Sequence, residues 1–354
     1  MNERKKIFIV IPKYKIGGAE RVMIGIANQL AKYNLKVFLI TLVKTEKFLL
    51  SKNIKLINLD TKKVIYSILQ LKEVIDKFKP DICLSTISHT NIALYFASKL
   101  TKHKSRIFLR ESNNLFESLD NYNFFYKFIF LQLIKTLYRS SNLITPSLEL
   151  SKELKKKFKI KKKVNFIPNP ILIKRSKNNI KKKFDFISIG SLSSQKDHLT
   201  LLKAFKYANL KKKNLKLLII GEGNLKQRIS KYISENGLKN KVKILKNTND
   251  LNKYLNLSKT FILCSKYEGY PNVLIDAAVA KIPIISTNCK FGPNEILEKG
   301  KFGKLFNVGD FYKLSKVMLM NPKLIKIIPN NKLKNNNLDK VTTKYYELFF
   351  KKNI

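Results

Sequence analysis

Twice along the chain, short β-branched and aromatic runs alternate with segments of helical period, the pattern of parallel βαβ units rather than of a sandwich. In the first half the runs are Lys6–Ile11, Lys36–Leu42, Ile54–Asp60, Asp81–Ile87, Arg106–Leu109 and Asn142–Thr145. Helices are expected between them over Ala19–Lys32, Val64–Phe78, Asn91–Leu100 and Asn123–Arg139. A basic run, Lys155–Lys163, then Ile167-Pro168-Asn169-Pro170, reads as a stiff connection, because each proline fixes φ and turns its predecessor away from helix. The alternation restarts with Phe184–Ile189, Leu215–Ile220, Val242–Leu245, Thr260–Cys264 and Pro283–Ser286. The expected fold is α/β, two Rossmann-like doubly wound domains over residues 1–168 and 169–335. A last helix within Leu338–Lys352, in the segment 336–354, has an apolar stripe through Tyr345, Leu348 and Phe349 with which to pack back on the first domain.

A length of 354 residues suits two such domains. The chain has 71 Lys and Arg against 24 Asp and Glu, a formal charge of +47 that would attract polyanions, nucleic acid and anionic lipid alike. The lysines are spread over the whole length, so the charge also reads as compositional drift at tolerant surface positions. Cys83, Cys264 and Cys289 lie far apart, which points to a reducing compartment without disulfides or zinc. The basic opening Met1–Lys6 leads only to Ile7–Ile11 before Pro12 and Lys13, too short for a signal-peptide core. Phe124–Tyr138, broken by Lys127, Gln132 and Lys135, falls short of the roughly 20 apolar residues of a spanning helix. A cytoplasmic protein is expected.

Ligands of open α/β sheets sit beyond the carboxyl ends of the strands, where helix N-termini present free N–H groups. Gly17-Gly18-Ala19-Glu20 follows the first strand, but the full G-x-G-x-x-G dinucleotide spacing is absent, and glycine also serves such turns for steric reasons alone. Gly190 to Asp197 follows the first strand of the second half, with Ser191 to supply a hydroxyl and Lys196 a compact cation for a diphosphate. Gly221-Glu222-Gly223 ends the next strand. In Ser265–Ala280, Glu268 stands at a strand end, Gly269, Tyr270, Pro271 and Asn272 form a turn, and a helix begins at Val273. Asp276 lies one turn into it, where a carboxylate can accept two ribose hydroxyls. Each acid also reads alone as a cap or packing residue.

Together these motifs resemble the retaining GT-B glycosyltransferases of family 4, of the bacterial polysaccharide or lipid-linked glycan type, whose E-x7-E element here reads Glu268 to Asp276. The similarity also takes in the G-G-A-E loop, the I-P-N-P hinge, the G-x-L-x-x-x-K loop, Gly292-Pro293-Asn294-Glu295 and Gly309-Asp310. It implies two domains facing each other across a cleft, a nucleotide-diphospho-sugar, usually UDP-linked, on the C-terminal half, and an acceptor on the N-terminal half. By that resemblance Lys196 neutralises the diphosphate, Glu268 touches the donor sugar, Asp276 binds the ribose, and Gly17, Gly18, Gly190, Ser191, Gly221, Glu222 and the Gly269–Val273 turn line the donor site. Two departures stand out. Ser191 replaces the Arg common after the loop glycine, and Glu111 stands near the place of a frequent His. Arg110, Glu111 and Asn113 are therefore candidates for the reacting sugar or acceptor hydroxyl, with His89 as an alternative base.

No D-x-D occurs and the three histidines are scattered, so no metal or other cofactor is expected. The helix Asn123–Arg139 mixes five apolar side chains with Lys127, Lys135 and Arg139, as an interfacial helix or a core helix would. With the basic surface it favours peripheral attachment to the inner face of the cytoplasmic membrane and a glycan or lipid-linked acceptor there. The rivals are a GT-B-fold nucleotide-sugar epimerase, a nicotinamide oxidoreductase and a nucleic-acid-binding protein. For the last no recognised motif stands out from the general lysine load, and no nucleic acid is expected.

Overall fold

The computed structural model describes residues 4–13, 17–43, 50–120, 122–173, 180–248 and 250–351. Two compact units emerge, Met1–Pro170 with Asn335–Ile354, and Ile171–Lys334. Met1–Glu3 of the basic opening and Lys352 of the expected last helix lie outside the described residues.

The first unit runs β1 (Lys5–Ile11), α1 (Gly18–Leu30), β2 (Leu35–Val43), β3 (Ile54–Thr61), a 3₁₀ turn (Val64–Ser67) leading into α2 (Ile68–Phe78), β4 (Ile82–Thr86) and α3 (Ser88–Leu100). It continues with β5 (Arg106–Arg110), α4 (Leu115–Ser118), α5 (Phe124–Ser140), β6 (Asn142–Thr145), α6 (Leu148–Lys157) and β7 (Asn165–Phe166). Among the described residues these strands make a seven-stranded sheet in the order β3-β2-β1-β4-β5-β6-β7, and every neighbouring pair is parallel. Ile7 of β1 aligns with Val37 on one side and Ile82 on the other. Such strands are covered on both faces, which is why Ile7–Ile11 is wholly buried rather than alternating.

The second unit runs β8 (Phe184–Ile189), a 3₁₀ turn (Ser194–Lys196), α7 (His198–Lys211), β9 (Leu217–Ile220), α8 (Lys226–Glu235), β10 (Val242–Leu245), α9 (Leu251–Asn256) and β11 (Ser258–Leu263). Then come α10 (Asn272–Val279), β12 (Ile284–Thr287), α11 (Pro293–Ile296), β13 (Lys304–Phe306) and α12 (Phe311–Met318). The described strands form a six-stranded parallel sheet, β10-β9-β8-β11-β12-β13, with one core cluster around Phe205 and Leu217 and another around Phe261 and Leu274. The last helix, α13 (Leu338–Phe350), returns to the first unit: Tyr346 stacks on Tyr33 at 5.2 Å between centroids and Phe349 meets Phe108 at 4.9 Å.

The strand order reverses between β1 and β4 in one sheet and between β8 and β11 in the other, so the loops after those strands are where a ligand belongs. Lys155–Lys163 is not a connector. Lys155–Lys157 form the last turn of α6, where cations meet the negative end of the helix, and Phe158 and Ile160 are core residues. β7, of 2 residues, and β13, of 3, complete their sheets beyond the strands expected from sequence.

Candidate functional site

In the second unit the loops after β8 and β11 are tied together. Gln195 donates from Nε2 to the Tyr267 carbonyl at 3.0 Å, and the Lys266 N–H donates to the Gln195 carbonyl at 2.8 Å. Between them Lys196 Nζ pairs with Glu268 Oε1, which also accepts from Ser265 Oγ at 2.6 Å. The pair is largely withdrawn from water, with side chains 17% and 7% exposed. Gly190 makes room for it, since a Cβ there would stand 3.2 Å from Lys196 Cγ. Ser191 is exposed, its hydroxyl 3.0 Å from that of Ser193.

The Gly269–Pro271 turn leads into α10 at Asn272 and Val273, with Tyr270, Asn272 and Val273 half-buried and Asp276 buried one turn further on. A Cβ on Gly292, whose φ is 84°, would come within 2.3 Å of the Pro271 ring, so the Gly292-Pro293 turn supports this one directly. Gly221 has a different purpose from the one its loop suggested. A Cβ there would lie 1.9 Å from the Gly190 carbonyl oxygen, so this glycine lets two loops pack and its open face is already filled. Glu222 is exposed and accepts from Asn247 at 3.5 Å.

Four neighbours of the pair had no site role legible in the sequence, because each is an ordinary residue until folded. Ser265 orients Glu268, and Thr287 Oγ1 holds the Ser265 carbonyl at 2.7 Å. The Cys289 thiol is pushed up to about 12, by burial first and by the Glu268 charge second. His198, which opens α7, is pushed down to about 4 by burial, with the Lys196 charge adding to it and the Gly190 and Ser191 backbone opposing it in part. Its imidazole is therefore neutral at physiological pH.

In the first unit the strand-end cluster is interior. Glu111, a candidate for contacting the reacting sugar or acceptor hydroxyl, is fully buried: Oε2 accepts from Ser88 Oγ and Tyr138 OH, each at 2.6 Å, and Oε1 from the N–H groups of Ser112 at 2.9 Å and Asn113 at 3.0 Å. Burial and the Glu111 charge raise the Tyr138 phenol well above its ordinary value, so it stays a donor. Arg110 is also fully buried, its guanidinium donating to Thr86 Oγ1 at 3.1 Å and to Asn169 Oδ1. It thereby fastens the segment before Pro170 rather than facing a ligand. Asn113 is half-buried, and its side chain accepts from the Asn114 N–H at 3.0 Å. His89 remains exposed beside Phe130, with its pKa lowered by partial burial against the opposing pull of Glu111. It follows Ile87, a β-branched residue held at φ 72° and ψ 137°, an uncommon backbone of the kind found at functional sites. Gly17 caps α1 with the Glu20 carboxylate folded over it, a Cβ there falling 2.4 Å from Oε2.

Among the described residues no three His, Cys, Asp or Glu side chains gather as a metal would need, and no helix is long and apolar enough to cross a membrane. Two parallel-sheet Rossmann-like units with ligand loops at their switch points define a GT-B-type protein. Residues 16–175 match Glycosyltransferase Family 4 and residues 171–335 match Glycosyl transferases group 1. The C-terminal half is thus a group 1 glycosyl transferase domain and the N-terminal half a family 4-like one. A TarM mutant of S. aureus, solved with fondaparinux, α-GlcNAc-glycerol and UDP, superimposes with a TM-score of 0.79 over 98% of this chain and 100% of its own, at 13% identity, a likeness of fold. An uncharacterized glycosyltransferase of Methanocaldococcus jannaschii is 32% identical over 66% of this chain and 62% of its own length. The N-acetylgalactosamine-N,N'-diacetylbacillosaminyl-diphospho-undecaprenol 4-α-N-acetylgalactosaminyltransferase of Campylobacter jejuni is 34% identical over 56% of each chain. The matches to these two relatives span less than two thirds of either relative.

Proposed function

We propose that the protein is a glycosyltransferase that moves a hexose or N-acetylhexosamine from a UDP-linked donor to a glycan or lipid-linked acceptor at the inner face of the cytoplasmic membrane, with retention of configuration. The Lys196–Glu268 pair at the switch point of the second sheet, beside the start of α10, carries the reading. UDP in the TarM complex and the diphospho-undecaprenol acceptor in the Campylobacter relative's name support the donor and acceptor classes.

The costly event is departure of the diphosphate, which builds negative charge on a phosphate oxygen, and preorganised positive groups lower that cost most. Lys196 supplies a compact cation and the first turn of α10 supplies backbone N–H groups. When Lys196 turns to the diphosphate, Glu268 is released toward the donor sugar while Ser265 keeps it aimed. Asp276 accepts from the ribose hydroxyls, and Ser191, its hydroxyl beside that of Ser193, stands where the family commonly has an Arg. As the C–O bond to the diphosphate breaks, its electron pair goes to the phosphate oxygen. The acceptor oxygen bonds the same face of the sugar and its proton passes to that departing oxygen. No metal or cofactor is required in this account. His89 and Asn113 are the acceptor-side groups with access to solvent, and Glu111 and Arg110 position the loops that present them.

A thermal-shift screen with UDP, GDP, UDP-GlcNAc, UDP-Glc, GDP-mannose, NAD and a DNA duplex tests this. A ligand at about 100 times its dissociation constant adds about 2.7 kcal/mol of stability. One UDP-sugar should shift the wild type and neither Lys196→Ala nor Glu268→Ala. A shift with DNA alone contradicts the reading, and release of a free epimerised donor without acceptor would assign an epimerase.

A further inference from the structure

The apolar content of α5 is divided in two. Phe130, Ile134, Leu137 and Tyr138 are buried in the first unit, whereas the start of the helix has no cover: Phe124 is 83% exposed and Phe125 71%, with Phe128 and Ile129 about as open as Tyr122 just before them. The segment is a capped helix start despite this exposure. Asn123 caps the helix by accepting from the Tyr126 N–H at 2.8 Å, and the rings stack in a ladder, Tyr122 on Tyr126 at 4.8 Å and Phe124 on Phe128 at 6.4 Å. So many large apolar groups left uncovered on one capped helix start mark a docking surface.

The position of the patch follows from topology. β3, β4 and β5 lie in one parallel sheet, so the segments after them start at the same edge, the one that carries His89 and the Glu111 loop. After β3, at that edge, Ile65, Tyr66 and Leu69 are also exposed, directly behind the exposed Lys62 and Lys63. α3 packs on both α2 and α5 between the two clusters.

We infer that this edge of the first unit, with the first two turns of α5 as its wedge, is the surface by which the protein seats on an anionic lipid bilayer. Charge complementarity selects the occupant. From Tyr122 to Leu148 there is no acidic residue; Lys127 pairs with Asp120 just outside that span, Lys135 lies further along the same helix, Lys62 and Lys63 stand exposed at the neighbouring cluster, and the chain as a whole carries +47. Aromatic rings with a tyrosine at the rim, beside lysines, suit the headgroup boundary, where apolar tips enter the acyl region and cations meet phosphate. The seat brings the His89 and Glu111 loops to the plane in which a lipid-borne acceptor displays its headgroup, and in that respect it rests on the function proposed above.

The chain contains no tryptophan, so one placed on the wedge reports on the wedge alone. Phe125→Trp is compared with Leu210→Trp, which lies in the second unit and is 70% exposed in the native protein. Emission is followed on adding phosphatidylglycerol vesicles, phosphatidylcholine vesicles, or more protein without lipid. The Phe125→Trp signal should shift to the blue with phosphatidylglycerol and the Leu210→Trp signal should not. In cosedimentation the double variant Phe124→Ser/Phe125→Ser should lose at least roughly tenfold in partitioning and melt at the wild-type temperature. An unmoved Phe125→Trp signal, equal shifts of both, or unchanged partitioning of the double variant overturns the assignment. A blue shift on concentrating the protein without vesicles would give the patch to a second copy of the chain. Vesicle seating without any nucleotide-sugar binding would leave the surface standing and remove the glycosyl-transfer reading instead.

Discussion

Each unit places a buried carboxylate at the carboxyl edge of its sheet, and the two are held by opposite means. Glu268 is met by a lysine on a flexible stem and by one hydroxyl. Glu111 is met by four neutral donors, two hydroxyls and two backbone N–H groups, inside a closed cluster. An ion pair at the rim can exchange partners, because an incoming diphosphate competes directly for the ammonium. A carboxylate bound by neutral donors cannot leave without stranding all of them, and an unmet buried donor costs about 1–3 kcal/mol. The first arrangement suits chemistry and the second suits architecture. Glu111 ties the loop after β5 to the start of α3 and the end of α5, and Arg110 extends that network to Asn169.

The largest effect that could break this contrast is on turnover. Lys196→Ala or Glu268→Gln should lower kcat/KM for donor by about 10²–10³-fold, the cost of removing one preorganised charge partner, with the protein still folded. Next is the pH response of His198. Its folded pKa of about 4 lies below the ordinary 6.5, so the unfolded chain binds its proton first as the pH falls. Its contribution is complete above pH 6.5, is lost between there and pH 4, and amounts to about 3 kcal/mol. Melting curves across that window should be flatter for His198→Gln than for the wild type, and His89→Gln, whose ring is also held below its ordinary value by partial burial, should flatten them in the same direction.

Glu111→Gln should destabilise by about 2 kcal/mol, since it turns two acceptor positions into donors facing hydroxyls. Donor affinity should be unchanged, and loss of donor binding at equal stability would place Glu111 in the site. The smallest effect concerns a device that both units share. At the opposite edge of each sheet an aspartate ties a lysine to a backbone N–H: Asp81 with Lys5 Nζ and the Lys6 N–H, and Asp185 with Lys259 Nζ and the Lys216 N–H, every distance 2.8 Å. Lys5→Met and Lys259→Met should each cost about 0.5 kcal/mol, measured by denaturant unfolding, because these pairs are exposed to solvent.

The fold was legible because parallel strands covered on both faces read as unbroken apolar runs, and Phe184–Ile189 and Asn142–Thr145 end where the sequence pattern ends. α6 was hidden because its period rests on Leu150 and Leu154, and its lysine-rich last turn mimics a linker. In the second unit Lys196 and Glu268 could be named from their strand-end positions. Their contact, across 72 residues of sequence, is a product of folding. In the first unit the same reasoning found Glu111 but not its burial, because Ser88 and Tyr138 carry no mark that they will close over it. Gly221 shows the other limit: a glycine after a strand looks the same whether a ligand or the Gly190 carbonyl fills the space.

The most direct test is titration of UDP and a UDP-sugar into the wild type, Lys196→Ala and Glu111→Gln by calorimetry. Glu111→Gln should bind as the wild type does, and Lys196→Ala should lose at least about tenfold, the worth of a charge-assisted contact. Wild-type binding by Lys196→Ala, or its loss in Glu111→Gln alone, would contradict the division of labour between the two carboxylates.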